Sequence, residues 1–310
     1  MDWTPFLTAA VQAGTPLLFA TLGEIITEKV GNLNLGVEGM MLIGAVAGFS
    51  VGMVTHNPFL ALLGAFVAGA LSALIFAFLT VTLRVNQVVT GLSLTIFGSG
   101  VAGFAGKSLA GKLVPEDVKA AFVSTKIPLL GDIPVLGKIF FQQDWFVYLG
   151  YLMVVFLGIY LYKTKIGLNL RTVGENPGAA DASGVNISFY KYVHILLGGA
   201  LCGLGGAYLT LVYVPAWQEN ITAGRGWIAV ALVIFATWNP YKALVGSYFF
   251  GALSLAGLYL QKFNIPISLF LIDMLPYVVT ILVLIFISLR KVKENSPPKA
   301  LGEPYFREDR

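Results

Sequence analysis

The sequence predicts an all-α integral membrane protein of about nine transmembrane helices, several of them interrupted by glycine. Three observations predict it. Of 310 residues, 57% are hydrophobic and 12% charged, with mean hydropathy +0.80, whereas a soluble domain is about 45–50% apolar and about 25% charged. The apolar residues come in runs of about 20, the length that crosses a ~30 Å hydrocarbon core. Several runs, such as FLALLGAFVAGALSALIFAFLTVTL at 59–83, carry no charge at all. Backbone in lipid must satisfy its own hydrogen bonds, so such runs are helices of a bundle.

Taken in order, the expected spans are 4–26, 34–54, 59–83, 85–106, 145–162, 191–213, 226–239, 242–261 and 269–289. The first run lacks a basic n-region and is too long for a signal-peptide core, so it is expected to stay as a first helix. The second opens with GNLNLGVEGMMLIGA (31–45), which places Asn32, Asn34 and Glu38, with Gly31, Gly36 and Gly39 around them, near or inside the membrane. The seventh opens with NITAGRGWIAVALVIFATWNP (220–240), a Gly-x-Gly break followed by about a dozen apolar residues. Paired interrupted segments of this kind point to inverted repeats around a central pathway. Gly44, Gly48 and Gly52, and again Gly199 and Gly203, recur every four residues, a spacing that lets helix backbones approach closely.

Lys29, Arg84, Lys163, Lys165, Arg171, Lys191, Lys242, Arg290, Lys291 and Lys293 fall on one side of such a bundle. Arg225, Lys262 and five lysines of a 107–144 loop fall on the other. The positive-inside rule then puts 163–190 and the 290–310 tail in the cytoplasm, with residues 1–289 as the transmembrane domain, the 107–144 loop outside, and the N-terminus outside. The stretch IPLLGDIPVLGKIFFQQDW (127–145) is apolar enough to pack as an outer-face amphipathic segment.

An ionisable group within a span is a functional candidate by default, because it is costly unless paired or wetted. Glu38 is the sharpest case, with two readings: a group in the pathway, or a cap on backbone N–H groups freed by Gly36 and Gly39. Glu24 and Glu28, one turn apart near the end of the first span, and Asp273 near the outer end of the last, are expected at the interface. One cysteine, Cys202, and two histidines, His56 and His194, exclude disulfides and argue against a metal centre. GFAGKS (103–108) lacks the first glycine of a phosphate loop, where Val101 stands, and no strand precedes it. No catalytic or cofactor constellation is present, the +4 net charge needs no nucleic acid to explain it, and the driving energy is expected from an ion gradient or a partner.

The stretch TVGENPGAADASGVN (172–186) is a short polar island between two greasy runs. Asn176 is a plausible N-cap, Pro177 suits the first helical position, and Ser183-Gly184 stops the helix, giving a short helix on the cytoplasmic face. Its small side chains allow close approach, and Glu175 and Asp181 offer acids to a partner's basic rim.

GEIITEKVGNLNLGVEGMMLIGA (23–45), GENPGAADASGVN (174–186), ITAGRGWIAVALVIFATWNP (221–240), MLPYVVTILVLI (274–285) and the tail ALGEPYFRED (300–309) together resemble the integral permease subunits of ABC importers. Within that family the chain looks like the branch serving simple sugars, nucleosides and, more distantly, branched-chain amino acids. PLLFATLGEIITEKVGNLNLGVEG (16–39) looks most like the nucleoside type. The resemblance implies that 174–186 is a coupling helix, with Glu175, Asn176, Pro177, Ala179, Ala180, Asp181 and Gly184 docking an ATP-binding cassette ATPase. It implies a second permease subunit, an extracytoplasmic substrate-binding lipoprotein, a nucleoside or sugar substrate, and a cytoplasmic membrane of a prokaryote. No cofactor or metal is expected, and ATP hydrolysis belongs to the partner. Members of the family often have ten spans, so nine suggests the shorter of two different permeases. Asn32, Asn34, Glu38 and Trp227, at the two helix breaks, are the pathway candidates. The rival readings are a permease for ribose or galactose, a secondary transporter with Glu38 or Asp273 carrying an ion, and a membrane scaffold.

Overall fold

The computed structural model describes residues 3–261, 271, 274–289 and 296–306. Its helices are α1 (Thr4–Lys29), α2 (Val37–Thr55), α3 (Pro58–Ala77), α4 (Gln87–Gly106), α5 (Glu116–Ala120), α6 (Leu136–Phe140) and α7 (Trp145–Lys163). They continue with α8 (Lys165–Glu175), α9 (Pro177–Ala182), α10 (Ile187–Tyr208), α11 (Arg225–Phe235), α12 (Pro240–Gln261) and α13 (Leu275–Leu289). The last turns of α3 and α10 widen into π-turns, Phe78–Thr82 and Leu209–Tyr213.

Local chemistry sets the helix starts. Asn57 caps α3 by accepting from the N–H groups of Phe59 and Leu60 at 2.9 and 3.2 Å, with Pro58 in the first turn. Asp144 caps α7 through Val147 N–H at 3.1 Å, and Asn186 caps α10 through Phe189 N–H at 2.9 Å. Each side-chain oxygen satisfies an N–H that the helix itself leaves unpaired.

Among the described residues, six helices are long and apolar enough to cross a membrane: α1, α2, α3 with its π-turn, α4 with its short continuation to Leu109, α7, and α10 with its π-turn. The expected count of nine is therefore not confirmed. The 226–239 span is an 11-residue helix, α11, about 16 Å long and too short to cross alone. The 242–261 span corresponds to α12, and 269–289 overlaps α13, whose bounds are Leu275–Leu289. Lys262, Asp273, Arg290, Lys291 and Lys293 lie outside the described residues.

The bundle centres on α10, which packs against α1, α2 and α3. Glycine makes this possible: a Cβ at Gly44 would overlap the backbone of Gly203, and one at Gly203 would overlap the backbone of α3 at Ala65. Helix α4, by contrast, leaves Val89, Leu92, Ile96, Phe97 and Phe104 exposed, an outward apolar face suited to lipid.

The two ends of the bundle differ. At one end, residues 30–36, 83–86, 164–186 and 296–306 come together: Ala300 N–H donates to Gly174 O at 2.9 Å, Gly302 N–H to Gly31 O at 3.3 Å, and the Arg84 guanidinium lies 4.5 Å from the Phe306 ring centre. At the other end, the 107–144 segment closes over the bundle, with Trp217 N–H donating to Lys112 O and Val114 N–H to Pro215 O, both at 3.1 Å. The 127–145 stretch, expected as an amphipathic segment, folds into turns, α6 and a strand, β2 (Gln142–Gln143), that pairs with β1 (Thr125–Lys126) just before it. Its repeated Ile-Pro-x-Leu-Gly pattern forms two matching γ-turns centred on Leu129 (φ +68°) and Val135 (φ +64°), a conformation that L-residues rarely adopt.

Candidate functional site

Two breaks in the helical backbone meet inside the bundle. The first is the 30–36 loop between α1 and α2. Glu24 accepts from Asn34 N–H at 3.1 Å and from Asn34 Nδ2 at 3.2 Å, and Asn34 Oδ1 in turn accepts from Gly36 N–H at 2.9 Å. Gln87 Oε1 takes Leu33 N–H at 2.7 Å, and Thr95 Oγ1 donates to Leu35 O at 2.9 Å. Asn32 is fully buried and reaches Thr80 Oγ1 at 3.5 Å, while its own Oδ1 has no partner. The loop is thus held by side chains from α1 and α4 in place of water, as non-helical backbone within a membrane protein requires.

The second break is 220–226, ahead of α11. Gly39 packs on Leu94, the eighth residue of α4, so the start of α2 lies about 10 Å in from that end of the bundle. Helix α11 begins at this same depth, and its first N–H groups need acceptors. Glu38 supplies them: Oε1 accepts from Thr222 Oγ1 at 2.5 Å and Gly224 N–H at 2.8 Å, and Oε2 from Gly226 N–H at 2.6 Å. Gly224 takes a left-handed φ of +82°, and a Cβ at Gly226 would lie 2.5 Å from Glu38 Cα. Both glycines are needed for this approach.

At the far end of α11 a third carboxyl repeats the arrangement. Thr237 and Trp238 take successive positive φ values of +50° and +53° at the corner into α12, a strained pair for non-glycine residues. Trp238 Nε1 donates to Glu28 Oε2 at 2.5 Å, and Lys29 Nζ lies 5.9 Å from the same ring.

These contacts decide where the expected residues sit. Asn32, Asn34 and Glu38 are 0, 1 and 5% exposed and hold the breaks together, so in this conformation they do not face an open route. Trp227, adjacent to Gly226, is 37% exposed and is the one pathway candidate at a surface. Glu38 caps as one sequence reading holds, but across to α11 and not around its own Gly36 and Gly39. Glu24 and Glu28, expected at the interface, are 0 and 1% exposed because their partners are buried chain breaks. Gln87, Thr95, Thr222 and Trp238 were not expected; each is a polar side chain next to a break, the one signal that marks them in sequence.

The 172–186 island holds the end of α8 and the whole of α9. Asn176 Oδ1 caps α9 by accepting from Ala179 N–H at 3.0 Å, Pro177 opens the helix, and Gly184 closes it at φ +80°. Glu175, Asn176, Ala179 and Gly184 are exposed, with Pro177 and Asp181 half-buried. The helix is tied to the bundle on its inner side. Ala180 is fully buried, Tyr305 donates to Asp181 Oδ2 at 2.8 Å, and a Cβ on Gly174 would overlap the Lys29 carbonyl. The tail therefore ties α9 to the α1–α2 corner.

Just ahead of α7, Asp144 caps that helix and accepts from Tyr208 OH at 3.1 Å, and its burial pushes the carboxyl above the ordinary aspartate value of 3.8. Among the described residues no group of His, Cys, Asp and Glu could hold a metal.

Residues 6–287 match the family described as the branched-chain amino acid transport system permease component. Similar proteins include TsgC13 of Haloferax volcanii, provisionally a glucose ABC transporter permease (38% identity; 97% of each chain). The guanosine ABC transporter permease NupQ of Bacillus subtilis is 35% identical over 99% of each chain, and the nucleoside ABC transporter permease NupC of Lactococcus lactis 34% over 94% of each. Each of these three organisms has a second, less similar permease: TsgB13, NupP and NupB, 29, 23 and 22% identical, of which 72, 72 and 81% are covered. A metal-chelate-type ABC transporter in an inward-facing conformation shares the fold, with TM-score 0.51 and 15% identity over 93% of this chain and 87% of that one. The helical membrane bundle, the match over most of the chain and the near full-length relatives together make this chain a member of the branched-chain amino acid transport system permease family, a non-catalytic permease subunit of an ABC importer.

Proposed function

We propose that the chain is the shorter of two different permease subunits in an ATP-driven importer of a prokaryotic cytoplasmic membrane, and that it moves nucleosides by alternating access. The observation that carries this reading is the α9 platform, an exposed short helix tied by backbone and side-chain contacts to the α1–α2 corner. A partner ATPase docking there moves the first break without needing to reach it. By linkage, the ATPase must bind one bundle state better than the other. Residues 163–190 and 290–310 face the cytoplasm in this arrangement, and the 107–144 segment faces the substrate-binding protein. Trp227 offers a stacking surface to a base or sugar, while Asn32, Asn34 and Glu38 position the two breaks that flank it.

Two near full-length relatives named for guanosine and nucleoside transport support the substrate class. Coverage supports the pairing, because this chain spans 97% of TsgC13 but 72% of TsgB13, and 99% of NupQ but 72% of NupP. A simple sugar is the second reading, favoured by the glucose relative. Uptake of labelled guanosine by cells with and without the gene, with excess glucose or ribose as competitor, separates them. Loss of uptake with the gene and no competition by sugar supports nucleosides. Guanosine uptake that persists without the gene, with glucose uptake lost, replaces the substrate with a sugar.

A further inference from the structure

Beside α9, the π-turn of α3, the α9–α10 corner and the tail enclose a cavity of about 430 Å3. Its lining includes Thr80, Arg84, Asp181, Ser188, Lys191 and Tyr305. Lys191 is 4% exposed, yet its ammonium has no hydrogen bond or ion pair with any described residue. A buried cation without a partner is costly. It is also the fifth residue of α10, at the helix end where the dipole favours anions and disfavours cations.

Arg84 adds a second cation. Its guanidinium stacks over Phe306 at 4.5 Å and makes no ion pair with a described residue. Face stacking leaves the N–H edge of a guanidinium able to bind an oxyanion. Among the described lining residues the one acid, Asp181, accepts from Tyr305. Asn186 takes Phe189 N–H, and Ile187 and Ser188, whose N–H groups the helix itself leaves unpaired, belong to the same lining.

We propose that this cavity binds a phosphate group, held between Lys191, Arg84 and the α10 N-terminus. Two sources carry that chemistry: the headgroup of an anionic phospholipid in the adjoining leaflet, or a free phosphate. Leu83 and Phe189, neighbours in sequence of Arg84 and Ser188, are 53 and 61% exposed, which gives acyl chains an apolar surface beside the site.

The test uses the full-length permease in nanodiscs of phosphatidylcholine alone, or with added phosphatidylglycerol. Labelled inorganic phosphate is titrated into the neutral discs. Phosphatidylglycerol retained after detergent extraction is counted by native mass spectrometry. Wild type is expected to hold one equivalent of at least one probe. Lys191→Met and Arg84→Gln each weaken it about tenfold or more, the loss of one charge-assisted bond, and Lys191→Arg stays close to wild type. Phosphate binding in neutral discs identifies a free anion, and retention of phosphatidylglycerol alone identifies the lipid. Binding of neither probe by wild type, or equal binding by wild type and both charge-removing variants, overturns the proposal. Should Lys191→Met fail to insert, Arg84→Gln decides alone, because Arg84 is exposed and outside the helices.

Discussion

Replacing Glu38 should separate a structural carboxyl from a transported-ion carrier. All three of its hydrogen bonds are donated to it, by Thr222, Gly224 and Gly226, so it acts as an acceptor only. In Glu38→Ala the Thr222 hydroxyl is free to turn, but the buried Gly226 N–H and the half-buried Gly224 N–H both lose their acceptor. At roughly 1–3 kcal/mol for each orphaned donor, the loss is about 2–6 kcal/mol. Glu38→Gln keeps one carbonyl oxygen and turns an NH2 toward the remaining donor, so it should cost about 1–3 kcal/mol. The assay is unfolding of the purified permease by SDS titration, read alongside uptake at several pH values. A structural carboxyl predicts graded loss of stability, with residual uptake in Glu38→Gln and an unshifted pH profile. Glu38→Ala within about 0.5 kcal/mol of wild type, or a fully stable Glu38→Gln with no uptake at any pH, would refute the capping argument.

Other substitutions probe other parts of the molecule. Glu175→Lys combined with Asp181→Lys should lower the amount of ATPase that copurifies with the permease without lowering permease yield; Tyr305→Phe, which removes one hydrogen bond of about 1 kcal/mol, should weaken it less. Gly203→Leu should abolish accumulation of folded protein in membranes, because any side chain there overlaps the α3 backbone; a normal yield would mean that α3 and α10 pack differently. Asp144→Asn keeps an N-cap acceptor and should be near neutral at pH 7. In wild type the raised Asp144 pKa means that the folded state binds more protons than the unfolded one, so stability falls as pH rises above 3.8 toward the raised value. Asp144→Asn should flatten that slope in unfolding titrations run across this range.

Much of this fold is legible in the sequence because membrane spans announce themselves by length and apolarity. The first six expected spans each fall on one long helix, and the four-residue glycine spacing marks the α2 and α10 seams correctly. The failures have a common cause in non-local pairing. Glu38 could be seen as a capping group, but its donors lie 184–188 residues away, and no local pattern announces that. Glu24 and Glu28 looked interfacial because their position near a helix end is visible, whereas the buried partners at Asn34 and Trp238 are not. The α9 island was found by its Asn-Pro start and Gly stop, which are local signals. Its attachment to Tyr305 is 124 residues distant and leaves no local mark in the sequence.

The separation between Glu38 and Gly226 also has a meaning in time. At about 5–20 residues per second of synthesis, the 188 residues between them take roughly 10–40 s to make. During that interval α1 and α2 exist without the donors that satisfy Glu38, so the start of α2 cannot yet be sealed in its final apolar setting. The nascent N-terminal half must keep that carboxyl near water, or near a chaperoning surface, until α11 arrives. Assembly of the bundle therefore closes from its last-made short helix, and a chain arrested before residue 222 should leave Glu38 reachable from the aqueous side.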